Sequence, residues 1–90
     1  MALDPRAVSV ATTATRIDTS SETDMARGSS VAVYNNGAAT VYLGDADVTT
    51  SIGYPVAAGS HFSIDLDPAE ALYGIVASGT VEVRVLEQGI

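Results

Sequence analysis

The chain has 90 residues, a formal net charge of −7 and no cysteine, so it forms at most one domain and no disulfide can reinforce its core. Its apolar residues are mostly alanine and valine, with one phenylalanine and no tryptophan. The core is therefore lean, and we expect oligomerisation or docking on a larger assembly to add stability. All four cations are arginine (Arg6, Arg16, Arg27 and Arg84), which argues against nucleic acid and anionic membranes as partners because both require a basic patch.

Residues 1–29 differ from the rest of the chain and predict an N-terminal arm or linker, followed by a β-module over residues 30–90. The segment RAVSVATTATRI alternates weakly and is rich in β-branched residues, which favours an edge strand or an extended arm. Either its own sheet or a neighbouring subunit is expected to hold it. The first ten residues carry an acid and a proline where a signal peptide needs cations and an apolar run, so no targeting segment is predicted.

The β-module begins with a predicted hairpin. In residues 31–34 valine alternates with alanine and tyrosine, and Asn35-Asn36-Gly37 has the residue types of a tight turn. A second alternating strand follows over residues 41–43. The glycine- and proline-rich segment after it predicts turns and one brief strand near Tyr54.

The second half of the module contains the clearest strand pattern. Residues 61–66 place Phe62, Ile64 and Leu66 on one face and polar side chains on the other, which is typical of a strand with one solvated face. Residues 72–77 are almost all apolar and predict a central strand. Gly74 within it indicates a bulge or a close backbone approach.

The closing segment predicts one more hairpin. Ser78-Gly79-Thr80 is a turn signal, and valines then alternate with charged residues and leucine over residues 81–86. The whole pattern predicts an all-β fold, namely a small antiparallel sandwich or barrel of about six or seven short strands with an extended N-terminal arm.

Few residues suggest catalysis or metal binding. His61 is the one histidine, and its place in the polar phase of a strand favours an exposed surface residue. The acidic pairs of DAD (45–47) and DLD (65–67) do not match a calcium loop, because positions six and twelve from Asp45 are threonine and valine. Turn-forming aspartates are favoured, with a non-standard calcium site as the alternative. We predict no catalytic residue, no metal, no cofactor and no enzymatic activity.

Three tyrosines are candidates for an interface. Tyr34, Tyr42 and Tyr73 fall in the phase opposite to the valine and leucine core. Tyrosine is enriched in interfaces because it combines apolar area with a polar group. If the three side chains share a face, they would form a platform for a protein or a sugar. The alternative is that a two-sheet fold buries some of them.

The stretch from Ser30 to Leu86 resembles a small β-module of virion proteins of tailed bacteriophages. The residues that carry the likeness are SVAVYNNGAATVYLGDADVTTSIGYPVAAGSHFSIDL and ALYGIVASGTVEVRVLE. The resemblance implies a structural protein of the head-decoration or head-fibre type, made in the host cytoplasm and present on the capsid surface. Its partners would be the major capsid protein and copies of itself, commonly as a homo-trimer.

The resemblance also implies how such a protein would attach. Decoration proteins commonly engage the capsid through an N-terminal segment, which makes residues 1–29 the candidate arm. The expected capsid or subunit interface comprises Leu3, Val8, Val10 and Ile17 of that arm together with Tyr34, Tyr42 and Tyr73. The alternatives are a tail or fibre component, such as an adaptor or receptor-facing tip, and a carbohydrate-binding module that uses the tyrosines.

Overall fold

The computed structural model describes residues 3–18, 29–67 and 70–89, and these residues form strands without a helix. The strands are β1 (Leu3–Val10), β2 (Thr15–Arg16), β3 (Ser29–Asn35), β4 (Val41–Gly44), β5 (Tyr54–Val56), β6 (His61–Leu66), β7 (Tyr73–Ile75) and β8 (Val81–Gly89). They confirm the predicted all-β class, with eight strands in place of six or seven. Within this part of the chain no helix has the length and apolar character to cross a membrane.

The strands form two four-stranded antiparallel sheets that pack as a small sandwich. The first sheet has the order β1-β8-β3-β6 and the second has the order β2-β7-β4-β5. The pairs β1–β8, β2–β7, β3–β6 and β4–β5 join the first half of the chain to the second half in reverse order. The two halves of the chain thus form one long antiparallel ribbon of strand pairs. Successive pairs along this ribbon lie alternately in the first and the second sheet, which is the topology of a jelly roll.

This topology overturns both predicted hairpins. Asn35-Asn36-Gly37 joins β3 to β4, and Ser78-Gly79-Thr80 joins β7 to β8, but in each case the two strands lie in different sheets. Gly37 does not have a positive φ. A Cβ at this position would instead lie 2.5 Å from Cγ1 of Val81. Glycine is required here by the close approach of a neighbouring strand and not by the geometry of a hairpin turn.

The described part of the predicted arm belongs to the chain's own sheets. β1 pairs with β8 from Leu3, opposite Gln88, to Val10, opposite Val81. β2 pairs with β7 in the second sheet. The described part of the arm is therefore held by the chain's own sheets, which is one of the two arrangements expected from the sequence. Residues 1–2 and 19–28 of the arm lie outside the described residues.

The core lies between the two sheets and consists mainly of valine. Its position follows from strand alternation, because every second side chain points inwards. The backbone at Gly74 is closely approached by Ile17, as predicted from the sequence, because a Cβ at this position would lie 2.9 Å from Cδ1 of Ile17. Val8 and Phe62 pack against the cluster of buried residues. That cluster comprises Val10, Ile17, Val31, Val33, Val41, Leu43, Val56, Leu66, Leu72, Val76, Val81, Val83 and Val85.

A buried asparagine links the two sheets. Asn35 at the end of β3 is fully buried, and its Nδ2 donates to the carbonyl oxygens of Ala39 at 2.7 Å and Val56 at 2.9 Å. Its Oδ1 accepts a hydrogen bond from the Gly37 N–H at 3.0 Å. Because Val56 lies in the second sheet, Asn35 fixes the crossing from β3 to β4.

Replacing Asn35 with alanine is expected to destabilise the fold. The change removes the side-chain partner of the buried Val56 carbonyl, of the Ala39 carbonyl and of the Gly37 N–H, which costs about 2–3 kcal/mol. In a domain of this size the melting temperature should fall by roughly 10–20 °C. Thermal unfolding followed by circular dichroism measures this, with Asn36→Ala as the control because Asn36 is exposed. Equal melting temperatures for the two variants would contradict the assigned role.

Candidate docking face

The outer face of the first sheet has an unusual composition. Residues aligned across β1, β8, β3 and β6 form cross-strand rows on this face. An antiparallel sheet that covers a core on one side normally presents polar residues on the other. Here the middle of the solvent-facing side is largely apolar. The two central rows are Ala7–Arg84–Tyr34–His61 and Pro5–Leu86–Ala32–Ser63.

The side chains of these two rows, apart from Ser63, line an open groove of about 610 Å³. Leu86 is 45% exposed and Tyr34 is 43% exposed. Ala7 and Ala32 are short, so the sheet is open between the larger side chains. Exposed apolar patches with a polar rim mark interaction surfaces. We call this surface the docking face, and its outward residues are Pro5, Ala7, Ala32, Tyr34, His61, Arg84 and Leu86.

Polar side chains within and beside the docking face are held in place by hydrogen bonds. Arg84 Nε donates to Glu82 Oε2 at 3.0 Å, and Asn36 Nδ2 donates to the same oxygen at 3.0 Å. The hydrogen bond from Asn36, followed by that from Arg84, lowers the pKa of Glu82. On the β6 side the Ser30 hydroxyl donates to Asp65 Oδ1 at 2.6 Å.

The structure separates the three tyrosines proposed as a platform. Tyr34 lies on the docking face. Tyr42 alternates with two buried residues of β4 and therefore points away from the core on the second sheet. Tyr73 shares that outer face, because it neighbours the buried Gly74 in β7. The tyrosines thus lie on opposite sides of the sandwich and do not form one common surface.

The apolar residues of the predicted arm lie in different places. Val10 and Ile17 are buried in the core and Val8 packs against it, so these side chains contact their own chain in this structure. The backbone of Leu3 pairs with Gln88 at one end of β1. Sequence reasoning missed Pro5, Ala7, Ala32 and Leu86. A signal for this apolar face was present in the sequence. Leu86 is apolar although it alternates with the inward valines of residues 81–86, and residues 31–34 carry apolar or aromatic side chains on both faces of the strand.

The structure also places the other residues that were considered for chemistry. His61 is exposed at the start of β6. Asp45 Oδ1 accepts the N–H of Asp47 at 3.0 Å, which is the local turn contact expected of such aspartates. Among residues 3–18, 29–67 and 70–89, no group of three or more histidine or acidic side chains is placed to hold a metal ion.

One buried ionic cluster lies on the opposite, inner side of the first sheet. Glu87 of β8 is fully buried, and Arg6 Nη2 donates to its Oε1 at 2.9 Å. The same Arg6 nitrogen donates to the carbonyl oxygen of Ile17. Arg6 therefore connects β1, β8 and the residue that follows β2. This position indicates a structural role, because the cluster fastens the N-terminal strands to the sandwich.

A second ion pair extends this cluster. Asp18 is buried and accepts hydrogen bonds from Arg16 Nε at 3.1 Å and from the Leu72 N–H at 2.9 Å. The hydrogen bond to Asp18 raises the pKa of Arg16, and burial of the guanidinium opposes that shift. The Ile17 N–H donates to the Leu72 carbonyl oxygen at 2.8 Å. Residues 16–18 are thereby fixed to the segment that precedes β7.

Comparison with known proteins adds no family. A scan against protein-family models finds no match to this chain, and a search of curated proteins finds none either.

The Arg6–Glu87 pair yields a stability test. Glu87→Ala leaves a largely buried guanidinium without this carboxylate, and we expect a loss of about 3 kcal/mol of unfolding free energy. The double variant Arg6→Met with Glu87→Leu removes both charges and should lose less than the single variant. Urea unfolding of the three proteins measures this. A double variant no more stable than Glu87→Ala would contradict the pairing.

Proposed function

We propose that this protein is a capsid decoration, or cement, protein of a bacteriophage virion, which docks on the major capsid lattice through the docking face. The observation that carries the proposal is the apolar groove on the outer face of the first sheet, where a solvated sheet would be polar. Burying Leu86 and Tyr34 against capsomers would reinforce the joints between them. The docked protein adds contacts and performs no chemistry.

The docking face is suited to a rigid contact. Its residues project from β1, β8 and β3, which are paired along most of their lengths. A surface held by strands loses little conformational entropy on binding. Large apolar side chains at the centre with a polar rim are the usual anatomy of a protein interface. Together these features favour a macromolecular partner over a small molecule.

The fold alone does not select the partner. Jelly rolls serve as viral capsid domains, lectins and cupins, and a fold hosts many functions. The resemblance of residues 30–86 to modules of phage virion proteins supports a virion partner. The proposal assigns docking to the sheet face and not to an arm, because Val10 and Ile17 are used in the chain's own core.

The first test is the copy number in the particle. Quantitative mass spectrometry of purified phage encoding this chain should count it at a ratio near one, or a simple fraction, to the major capsid protein, as lattice symmetry requires. A handful of copies per particle would favour a tail or fibre component. Absence from the particle would overturn the virion proposal and favour sugar binding through Tyr42 or Tyr73.

The second test addresses the docking face itself. Leu86→Glu places a charge at the centre of the groove and should weaken binding to empty capsids about 100-fold. Ile52→Glu is the matched control, since Ile52 is 75% exposed and does not line the groove. A pull-down of capsids with each purified variant gives the comparison. Equal binding by both variants would exclude the docking face.

A further inference from the structure

The four sheet edges of the sandwich are not equally protected against pairing with another chain. Exposed strand edges pair readily unless they are short or carry proline. β1 contains Pro5 and β5 contains Pro55, and β2 has two residues. β6 has six residues and no proline. Among the described strands, β6 pairs with β3 alone, so its second edge is open to a partner.

Apolar side chains accompany this open edge. Ile64 lies in the inward phase of β6 but is 38% exposed. The ring of Phe62 is half-buried and lies 4.8 Å, centroid to centroid, from the ring of Tyr54 in the other sheet. The core is therefore incompletely covered where β6 and β5 end the two sheets. A further strand beside β6 would cover it.

The sequence of β6 is complementary to itself when read in opposite directions. In an antiparallel pair centred on Ser63, each residue lies opposite the residue of the second copy that is equally far from Ser63 on its other side. Phe62 then faces Ile64 of the second copy, which pairs apolar with apolar on the inner side. His61 faces Asp65 of the second copy, which pairs an imidazole with a carboxylate on the outer side. Cross-strand pairs of both kinds stabilise sheets.

We propose that two copies of this chain associate through antiparallel pairing of β6 with β6, centred on Ser63. The two-fold axis is perpendicular to the sheet, so each face of one sheet continues into the same face of the other. The product is one eight-stranded sheet with a common core side. Growth stops at two copies because the outer edges are then the two β1 strands, each carrying Pro5.

This interface shares His61 with the docking face, and it has a consequence for the proposed docking on capsids. The two docking faces lie on the same side of the continuous sheet. A dimer would therefore present two grooves to one surface and gain affinity through bivalence. The stoichiometry is a dimer, which differs from the homo-trimer implied by the family resemblance.

The absence of cysteine from the chain allows a direct test by cross-linking. Ser63→Cys places two thiols opposite each other across the axis, where antiparallel Cα atoms lie about 4.5–5.5 Å apart and a disulfide is geometrically allowed. Under mild oxidation we expect a covalent dimer on a non-reducing gel. Ser9→Cys is the matched control, because Ser9 is an exposed serine on the opposite edge strand, β1. Equal cross-linking of the two variants would overturn the proposal.

Sedimentation velocity of the full chain tests the stoichiometry. The wild-type protein should sediment as a dimer, and Ile64→Lys, which places a cation beside the partner's strand, should raise the dimer dissociation constant about 100-fold. Ile52→Lys, at an exposed isoleucine outside β6, should leave the dimer intact. A monomeric or trimeric wild type, or a dimer unaffected by Ile64→Lys, would refute the β6 interface. Leu86→Glu should remain dimeric, which separates this interface from docking on capsids.

Discussion

The pairing of β8 with both β1 and β3 is the interaction on which the rest of the structure depends. β8 is the longest strand, and it brings residues from near the two ends of the chain together. Its inward side chains, Val81, Val83 and Val85, form the centre of the first sheet's contribution to the core. Contacts between residues so far apart in sequence must offset a large closure entropy. The other strands then add to an already closed framework.

Two buried polar groups secure the two ends of this framework. Asn35, beside the start of β8, ties β3 to the second sheet through the Val56 carbonyl oxygen. Glu87, near the end of β8, holds Arg6 and through it the segment after β2. A lean valine core gives modest stability and little directional specificity. The hydrogen bonds of Asn35 and Glu87 require specific partners. They therefore fix how the chain crosses between the sheets more closely than apolar packing alone would.

The surfaces proposed for binding follow from what this framework leaves uncovered. The first sheet is covered on its inner side by the second sheet, whereas Leu86 and Tyr34 on its outer side are exposed. The edge at β6 is the longest edge without a proline. One surface suits a partner of different sequence and the other suits a second copy. Both are consistent with a small module that gains stability from assembly.

The sequence by itself determined the strands and their inward sides. Alternation in residues 61–66 and 81–86, and the apolar segment around Gly74, predicted elements that the structure contains, because side-chain direction in a strand is a local property. Local turn signals were misleading at Asn35-Asn36-Gly37, where the crossing between sheets depends on contacts with Ala39, Val56 and Val81.

The tertiary structure decided which strands pair, and hence which residues meet on a surface. The alternation pattern of a strand does not show which strands pair with it. The sequence therefore could not place Pro5, Ala7, Ala32 and Leu86 on one face, and it could not assign β6 to an open edge. The same pairings separated Tyr34 from Tyr42 and placed Val10 and Ile17 in the core. Periodicity is encoded within each segment, whereas these surfaces arise from pairings between residues as far apart in sequence as Leu3 and Gln88.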